Sequence, residues 1–482
     1  MATAALLAAV VATSATSPTL TLTFHKPSLV GSSNYTHFWM PEPLFRAAAE
    51  PSAPLMVGIA LHGDSGPWGK CPNPRHPQNC SAMYRSLSAS ADAWVQTDEL
   101  PANALIQPTR ANTSRGFSGK VEIDPTTNTS GTMSWKEWRW AAGTGISVVG
   151  GVGASAVTGL PPVYGTALSI LASSVRLGDG SWLALAYGAT QADAVAGSGN
   201  QTCVPMFHWQ SHFCVSVFVL ATVDEGRSWR YHSSLHWHPA MGTAVGGPSE
   251  AALTLLPDNR VLAVYRVEQH ENLWQSLSGD GGATWGEPMQ TSAWSVFPQL
   301  ETLPNGATVL VSGRPGLGLF VLEDASTARW KLYNLAQAHN TACNSQCGIN
   351  STYDAYTAGI VNASTSVVNG RATHISAWRW THPTTPPMTK AVHTQAPLIQ
   401  NCSLVFKLNE VSEIDCLRCC LRFQYFGLEQ GGCDAAGGSC DVLVSYDRDA
   451  NGGEGPDCPM CKMHRVHGNE DKVFVMRVSV AK

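Results

Sequence analysis

The sequence predicts an all-β protein whose four-stranded sheets are arranged radially, a β-propeller, and three observations carry that prediction. A hairpin unit recurs: an apolar run, a short turn with Asp or Asn and Gly, then a second apolar run ending in an aromatic residue or arginine. Two turns, "TVDEGRSW" (222–229) and "SGDGGATW" (278–285), share the pattern S/T-x-D-x-G-x-S/T-W. The units lie roughly 45 to 60 residues apart, the length of chain that a four-stranded antiparallel blade requires.

In chain order, residues 37–62 hold a loose first hairpin, and 110–160, rich in Thr, Ser and Gly, read as an insertion or an irregular second sheet. The clear copies are "ALSILASSVRLGDGSWLALAYG" (167–188), "EAALTLLPDNRVLAVYR" (250–266) and "FPQLETLPNGATVLVSGR" (297–314); residues 356–378 hold another loose one. Runs of four to eight β-prone residues around such turns make antiparallel hairpins. In the recurrent turn, Asp224 or Asp280 accepts backbone N–H groups, glycine takes positive φ, and Trp229 or Trp285 packs between sheets. "RSLSASADAW" (85–94) and "EDASTARW" (323–330) are degenerate versions. These aspartates therefore read as structural.

With 482 residues, 44% hydrophobic and 13% charged, the chain can bury a sizeable core. A net charge of −5 gives no electrostatic reason to expect nucleic acid or an anionic membrane as partner. Residues 1–17 read as a signal peptide: Ala4–Ala12 is apolar, too short to span a bilayer, and small residues follow. Because nothing basic precedes that run and Glu42 is the first acidic residue, a transit peptide is the rival reading. Eight N-x-S/T sequons, at Asn34, Asn79, Asn112, Asn128, Asn200, Asn350, Asn362 and Asn401, fit a secreted or lumenal address. So do fourteen cysteines with close pairs Cys71/Cys80, Cys203/Cys214 and Cys343/Cys347.

Eight of those cysteines fall between Cys402 and Cys461, after a Pro/Thr-rich stretch at 381–398 that reads as a linker. The expected division is therefore a main domain over 18–394 and a separate cysteine-rich module over 395–482, its "CLRCC" and "CPMC" in disulfides, with zinc the alternative. The segment "FKLNEVSEIDCLRCC…FGLEQGGC" resembles small PAN/apple-like adhesion modules, which implies an adhesion partner.

The S/T-x-D-x-G-x-S/T-W turns are Asp boxes, and with the hairpins before them the chain over roughly 35 to 380 resembles the sialidase (neuraminidase) superfamily, whose members are six-bladed propellers. The resemblance implies an exo-glycosidase acting on terminal sialic acid or a related acidic sugar, without metal or organic cofactor. Sialic acid carries a carboxylate on its reacting carbon, which repels an anionic nucleophile, so such enzymes use a tyrosine. A glutamate takes the phenol proton, an aspartate is the acid/base, and arginines clamp the carboxylate.

Carried onto this sequence, the pattern assigns Glu250, which starts a strand, and Arg266, which ends the next; Arg314 occupies the matching position one hairpin later as second clamp. Tyr356 is the candidate nucleophile, with Tyr353 beside it in "TYDAYTAGI", and Asp64 in "ALHGDSGPWG" the acid/base, though its glycine neighbours also suit a turn. One position departs. Sialidases open with an F/Y-R-I-P-like motif that supplies the first clamp arginine, whereas "HFWMP" (37–41) places Trp39 there. Losing one charged hydrogen-bonding partner costs roughly 1.5 to 3 kcal/mol, on the order of 10- to 150-fold in binding, while a tryptophan can stack on a sugar face. The alternative is therefore a lectin-like propeller that binds glycans without cutting them. His236 and His238 on one strand face lack a third ligand and read as surface histidines, and "GGVGAS" (150–155) lacks the lysine and strand-to-helix context of a phosphate loop.

Overall fold

A computed structural model of the protein describes residues 20–33, 44–47, 53–60, 81–88, 91–97, 105–110, 113–117, 119–141, 145–148, 153–192, 215–241, 246–267, 272–294, 296–313, 317–343, 367–368, 371–372, 426–448 and 471–482. Among them the architecture is strand after strand, with one α-helix longer than a turn, Leu335–Cys343. No helix among the described residues is long and apolar enough to cross a membrane.

The strands follow the chain sheet by sheet. β1 (Thr21–Phe24) and β2 (Ser28–Ser33) wait for partners at the far end of the sequence. β3 (Leu44–Arg46), β4 (Leu55–Ala60), β5 (Ser81–Ser86) and β6 (Trp94–Thr97) form one antiparallel meander. A ten-stranded sheet follows. Its front half holds β7 (Leu105–Arg110), β8 (Thr113–Phe117), β9 (Lys120–Ile123), β10 (Gly131–Ala141), β11 (Gly145–Val148) and β12 (Gly153–Thr158); its back half holds β13 (Val163–Arg176), β14 (Trp182–Thr190), β15 (Ser216–Thr222) and β16 (Ser228–Leu235). Two further four-stranded meanders are β17 (Ala251–Leu255), β18 (Val261–Tyr265), β19 (Asn272–Ser278), β20 (Met289–Trp294), and β21 (Val296–Thr302), β22 (Thr308–Gly313), β23 (Leu317–Asp324), β24 (Arg329–Asn334). β25 (Val367–Val368) pairs only with β26 (Arg371–Ala372), so most of the loose hairpin at 356–378 lies outside the described residues. Last come β27 (Phe426–Cys433), β28 (Ser439–Arg448) and β29 (Asp471–Ala481).

The period-2 alternation of each strand decides how these sheets stack. On β22, Val309 and Val311 enter one core with Val442, Val444 and Tyr446 of β28, while Leu310 between them enters another with Leu262 and Val264 of β18. On β18, Val261, Ala263 and Tyr265 face the opposite way, onto Leu183, Leu185, Val217 and Val219 of the ten-stranded sheet. These two meanders thus bury both faces against their neighbours, at roughly 1.5 to 3 kcal/mol for every fully buried Val, Leu or Phe. The first strands meet in succession: β13 touches β17, β17 touches β21, β21 touches β27, and β27 touches β3.

The Asp boxes rivet these faces. Asp224 accepts the Ser228 amide at 2.9 Å and the Ser228 hydroxyl at 2.6 Å, and the turn turns back through Gly226 at φ 77°. Asp280 does the same with Thr284. The tryptophan that follows packs onto the strands before it: Trp229, buried, meets Phe117 of the front half of its own sheet edge-on at 5.7 Å, and the half-buried Trp285 donates its indole N–H to Ser233 Oγ of the preceding sheet at 3.0 Å. The degenerate copies keep this function, since Trp330 donates to Gln275 Oε1 at 2.9 Å and Trp94 to Ser28 Oγ at 3.0 Å.

Residues expected in a separate module stand elsewhere. β29 pairs with β28 on one side and with both β1 and β2 on the other, so the two ends of the described chain share one five-stranded sheet. Its inner face shares a core with β22, β23 and the helix, and Leu443, Val473 and Val475 share another with Leu55, Val57 and Ile59 of β4. Cysteine density suggested a small disulfide-held unit, but apolar alternation in "DVLVSY" and "KVFVMRVSV" lets this stretch join the larger stack. Within it, Cys433 and Cys440 form a disulfide across the β27–β28 hairpin, and Cys343 is also disulfide-bonded. The linker at 381–398 and the remaining cysteines of 395–482 lie outside the described residues.

Candidate anion-binding site

Glu250 and Arg266 face each other one step beyond the β17–β18 ladder. The Arg266 amide donates to Glu250 O at 2.8 Å and the Ser249 amide to Arg266 O at 2.9 Å, which places the two side chains abreast. Arg266 Nη1 donates to Glu250 Oε1 at 2.7 Å, with the two side chains only 1% and 9% exposed. Glu250 Oε2 accepts the Phe297 amide at 2.8 Å, from the next sheet. Phe297 has φ 42°, a left-handed conformation unusual for an aromatic residue, and sits where the β21–β22 register slips between Val296 and Gln299. Glu250 therefore ties an arginine to a strained bulge across two sheets.

Arg266 keeps two more donors. Its Nε and Nη2 are buried and meet no acceptor among the described residues. These two N–H groups form the fork of the guanidinium that a carboxylate engages with both oxygens. A buried donor left unmatched costs about 1–3 kcal/mol, more when charged, so this edge calls for a planar anion.

Neighbouring hairpins open at the same end. Phe297 and Glu250 meet at the starts of β21 and β17, while Thr254 and Thr302 hydroxyls meet at 3.0 Å near their ends, so these strands run parallel. The turn after β21 reaches the turn after β27 through Asn305 Nδ2 on Gly438 O at 3.5 Å. At its start, Gly427 approaches Leu44 so closely that a Cβ would lie 2.8 Å from the Leu44 amide nitrogen. The starts of β17, β21, β27 and β3 thus lie at one gathered end of the stack, the end at which Glu250 and Arg266 stand.

Against that frame, the expected site residues divide in two. Glu250 and Arg266 are brought together. Arg314, Asp64, Trp39, Tyr356 and Tyr353 lie outside the described residues. Arg314 follows Gly313, which pairs with Val296 at the gathered end. Asp224 and Asp280 hold turns, as expected. His236 Nδ1 and Ser216 Oγ are 2.9 Å apart, and His238 pairs with Glu287 at 3.1 Å, so the two histidines serve separate contacts. No group of three metal-ligating side chains occurs among the described residues.

One residue at the same end escaped the sequence reading. Asp447, fully buried, follows Tyr446, which pairs with Phe426, just as Arg266 follows Tyr265, which pairs with Ala251. The signal was present: "VLVSYD" (442–447) repeats "VLAVYR" (261–266) and "VLVSGR" (309–314). Asp447 lies within 395–482, the stretch expected to form a separate module.

Deeper along the stack, burial first pushes the Glu301 carboxyl of β21 up to about 7. Burial also pushes Glu429 of β27 up to about 8, with the Glu301 charge adding and Arg46 opposing.

No family model matches the chain, and no curated protein matches it. Among solved structures it is similar to a protein of unknown function from Dyadobacter fermentans, at 13% identity and TM-score 0.45 over 95% of this chain and 99% of that one. An alpha-L-arabinanase of Penicillium chrysogenum complexed with arabinobiose gives 14% identity and TM-score 0.39 over 65% and 86%. A Hadza microbial sialidase gives 13% and 0.34 over 60% and 56%.

Proposed function

We propose that the chain is a secreted or lumenal six-bladed propeller that acts on glycans ending in an acidic sugar, as a sialidase-type exo-glycosidase. The observation that supports this reading is the Arg266 fork, buried, anchored by Glu250 and unmatched on the edge that suits a carboxylate. In this proposal the front and back halves of the ten-stranded sheet count as two blades, and β27–β29 with β1 and β2 close the ring in place of an adhesion module.

Arg266 and Arg314 hold the sugar carboxylate, and Trp39 stacks on the ring. The phenol oxygen of Tyr356 attacks the anomeric carbon while the glycosidic bond breaks; Asp64 gives a proton to the departing oxygen and Glu250 receives the phenol proton. Water then hydrolyses the tyrosyl–sugar bond with Asp64 as base. Each Glu250 oxygen keeps a lone pair beyond the contact it already accepts, so the carboxylate can serve both tasks. Tyr353 is the neighbouring phenol, and Tyr425 is a third, because it immediately precedes Phe426, as Glu250 precedes Ala251.

The test is release of a fluorogenic leaving group from α-sialosides and other acidic glycosides by wild type, Arg266→Lys and the three Tyr→Phe variants. The hydrolase reading expects turnover that falls at least roughly 100-fold in one Tyr→Phe variant and in Arg266→Lys, the scale of about 3 kcal/mol. Trp39 in place of an arginine favours the second reading, a lectin-like propeller: no turnover, but calorimetric binding of the acidic sugar that Arg266→Lys abolishes. Neither turnover nor binding by wild type removes both.

A further inference from the structure

We infer that the sheet joining the two ends of the chain is fastened by a proton-operated clasp centred on His25. Residues 21–33 run along β29 as β1 and β2, and His25 lies at the joint between them, its amide donating to Arg477 O at 3.0 Å. Four side chains, one from this joint, one from β28 and two from β29, close a ring of contacts there. Arg477 Nη2 lies 3.2 Å from His25 Nδ1, His25 Nε2 lies 2.8 Å from Ser479 Oγ, the Ser479 hydroxyl donates to Asp441 Oδ1 at 2.6 Å, and Arg477 Nη1 stands 3.5 Å from Asp441 Oδ2.

The directions of these bonds allow one protonation state. Arginine only donates, so Nδ1 must accept; Ser479 spends its proton on Asp441, so Nε2 must donate. That is neutral imidazole with its hydrogen on Nε2. A second proton, on Nδ1, would point N–H at N–H and set two cations side by side. Burial, then the Arg477 charge, hold the ring below its ordinary value of about 6.5, with Asp441 opposing. The charged groups facing the ring are Arg477 from β29 and Asp441 from β28; exposed Lys26 follows it in sequence, and the helix against β1 carries His339, whose ring meets Tyr446. A histidine whose value is lowered by folding contributes stability that is full above about pH 6.5 and lost as pH falls through the lowered value. The clasp therefore holds at neutral pH and lets β1 loosen in acid. The inference stands on the closing sheet alone and is independent of any glycan chemistry.

Hydrogen exchange at pH 7.5 and pH 5.0, corrected for the intrinsic pH dependence of exchange, tests it on the full chain. Peptides over 20–33 and 472–481 should open several-fold faster at pH 5.0, while peptides over 251–265 stay unchanged. In His25→Gln the step should vanish. Equal protection of β1 at both pH values, or the same step in His25→Gln, would overturn the clasp. A second measurement needs no His25 variant: the His25 ring protons titrated by NMR should show a midpoint below 6.5 that rises in Arg477→Gln, and a midpoint unmoved by that change sinks the idea.

Discussion

At the scale of single residues, the pairing of Glu250 with Arg266 is better understood as positioning than as stabilisation. Taking two charges out of water costs about as much as their attraction returns, whereas removing one partner strands the other. Glu250→Ala should therefore destabilise the fold by about 3–5 kcal/mol in urea unfolding, and the double variant Glu250→Ala/Arg266→Met should recover much of that loss. The tryptophans give a second contrast. Trp330 donates its indole N–H to Gln275, itself fully buried, whereas the Trp229 indole meets no acceptor among the described residues. Trp330→Phe leaves Gln275 Oε1 without its donor and should cost about 1–3 kcal/mol more than Trp229→Phe, which removes an unmatched donor, in parallel denaturation curves.

Elements have their own acid limit, set by the Asp-box turns. Hydrogen bonds from Thr284, then Ser278, hold the Asp280 carboxyl down at about 2, and hydrogen bonds from Ser228 and Thr222 lower Asp224 against an opposing desolvation. A carboxylate lowered by folding contributes stability that is complete above its ordinary value near 4 and lost as pH falls through the lowered one. Thermal unfolding should therefore weaken between about pH 4 and pH 2, and Asp280→Asn should flatten that slope while lowering Tm at pH 7. These turns were legible in the sequence because all their partners are local: Asp280 bonds residues within four positions. The hairpin at 250–266 was legible for the same reason, and with it the abreast placement of Glu250 and Arg266.

For the whole molecule, alternating side chains place the ten-stranded sheet, the β17–β20 and β21–β24 meanders and the sheet of β27–β29 each in two cores, and the β3–β6 meander shares one of them, which predicts one cooperative transition. Calorimetry should show a single endotherm, and removal of 471–482 should unfold the chain rather than release an independent module. The seam between β21 and β27 adds an alkaline limit. Glu301 and Glu429, raised to about 7 and about 8, favour the proton-bound fold, so stability is full below about pH 4.5 and declines as pH rises through 7 and 8. Glu429→Gln should raise Tm at pH 9 and leave it unchanged at pH 5.

By itself the sequence determined the hairpins, the riveting turns and the opposition of Glu250 and Arg266 across a hairpin, because each depends on residues a few to sixteen positions apart. Tertiary structure alone decided that β27–β29 complete the stack with β1 and β2, that Phe297 meets Glu250, and that Asp447 stands at the gathered end. Those contacts join chain segments dozens to hundreds of residues apart, and which faces meet depends on burying all the apolar alternation at once, a condition no local window contains.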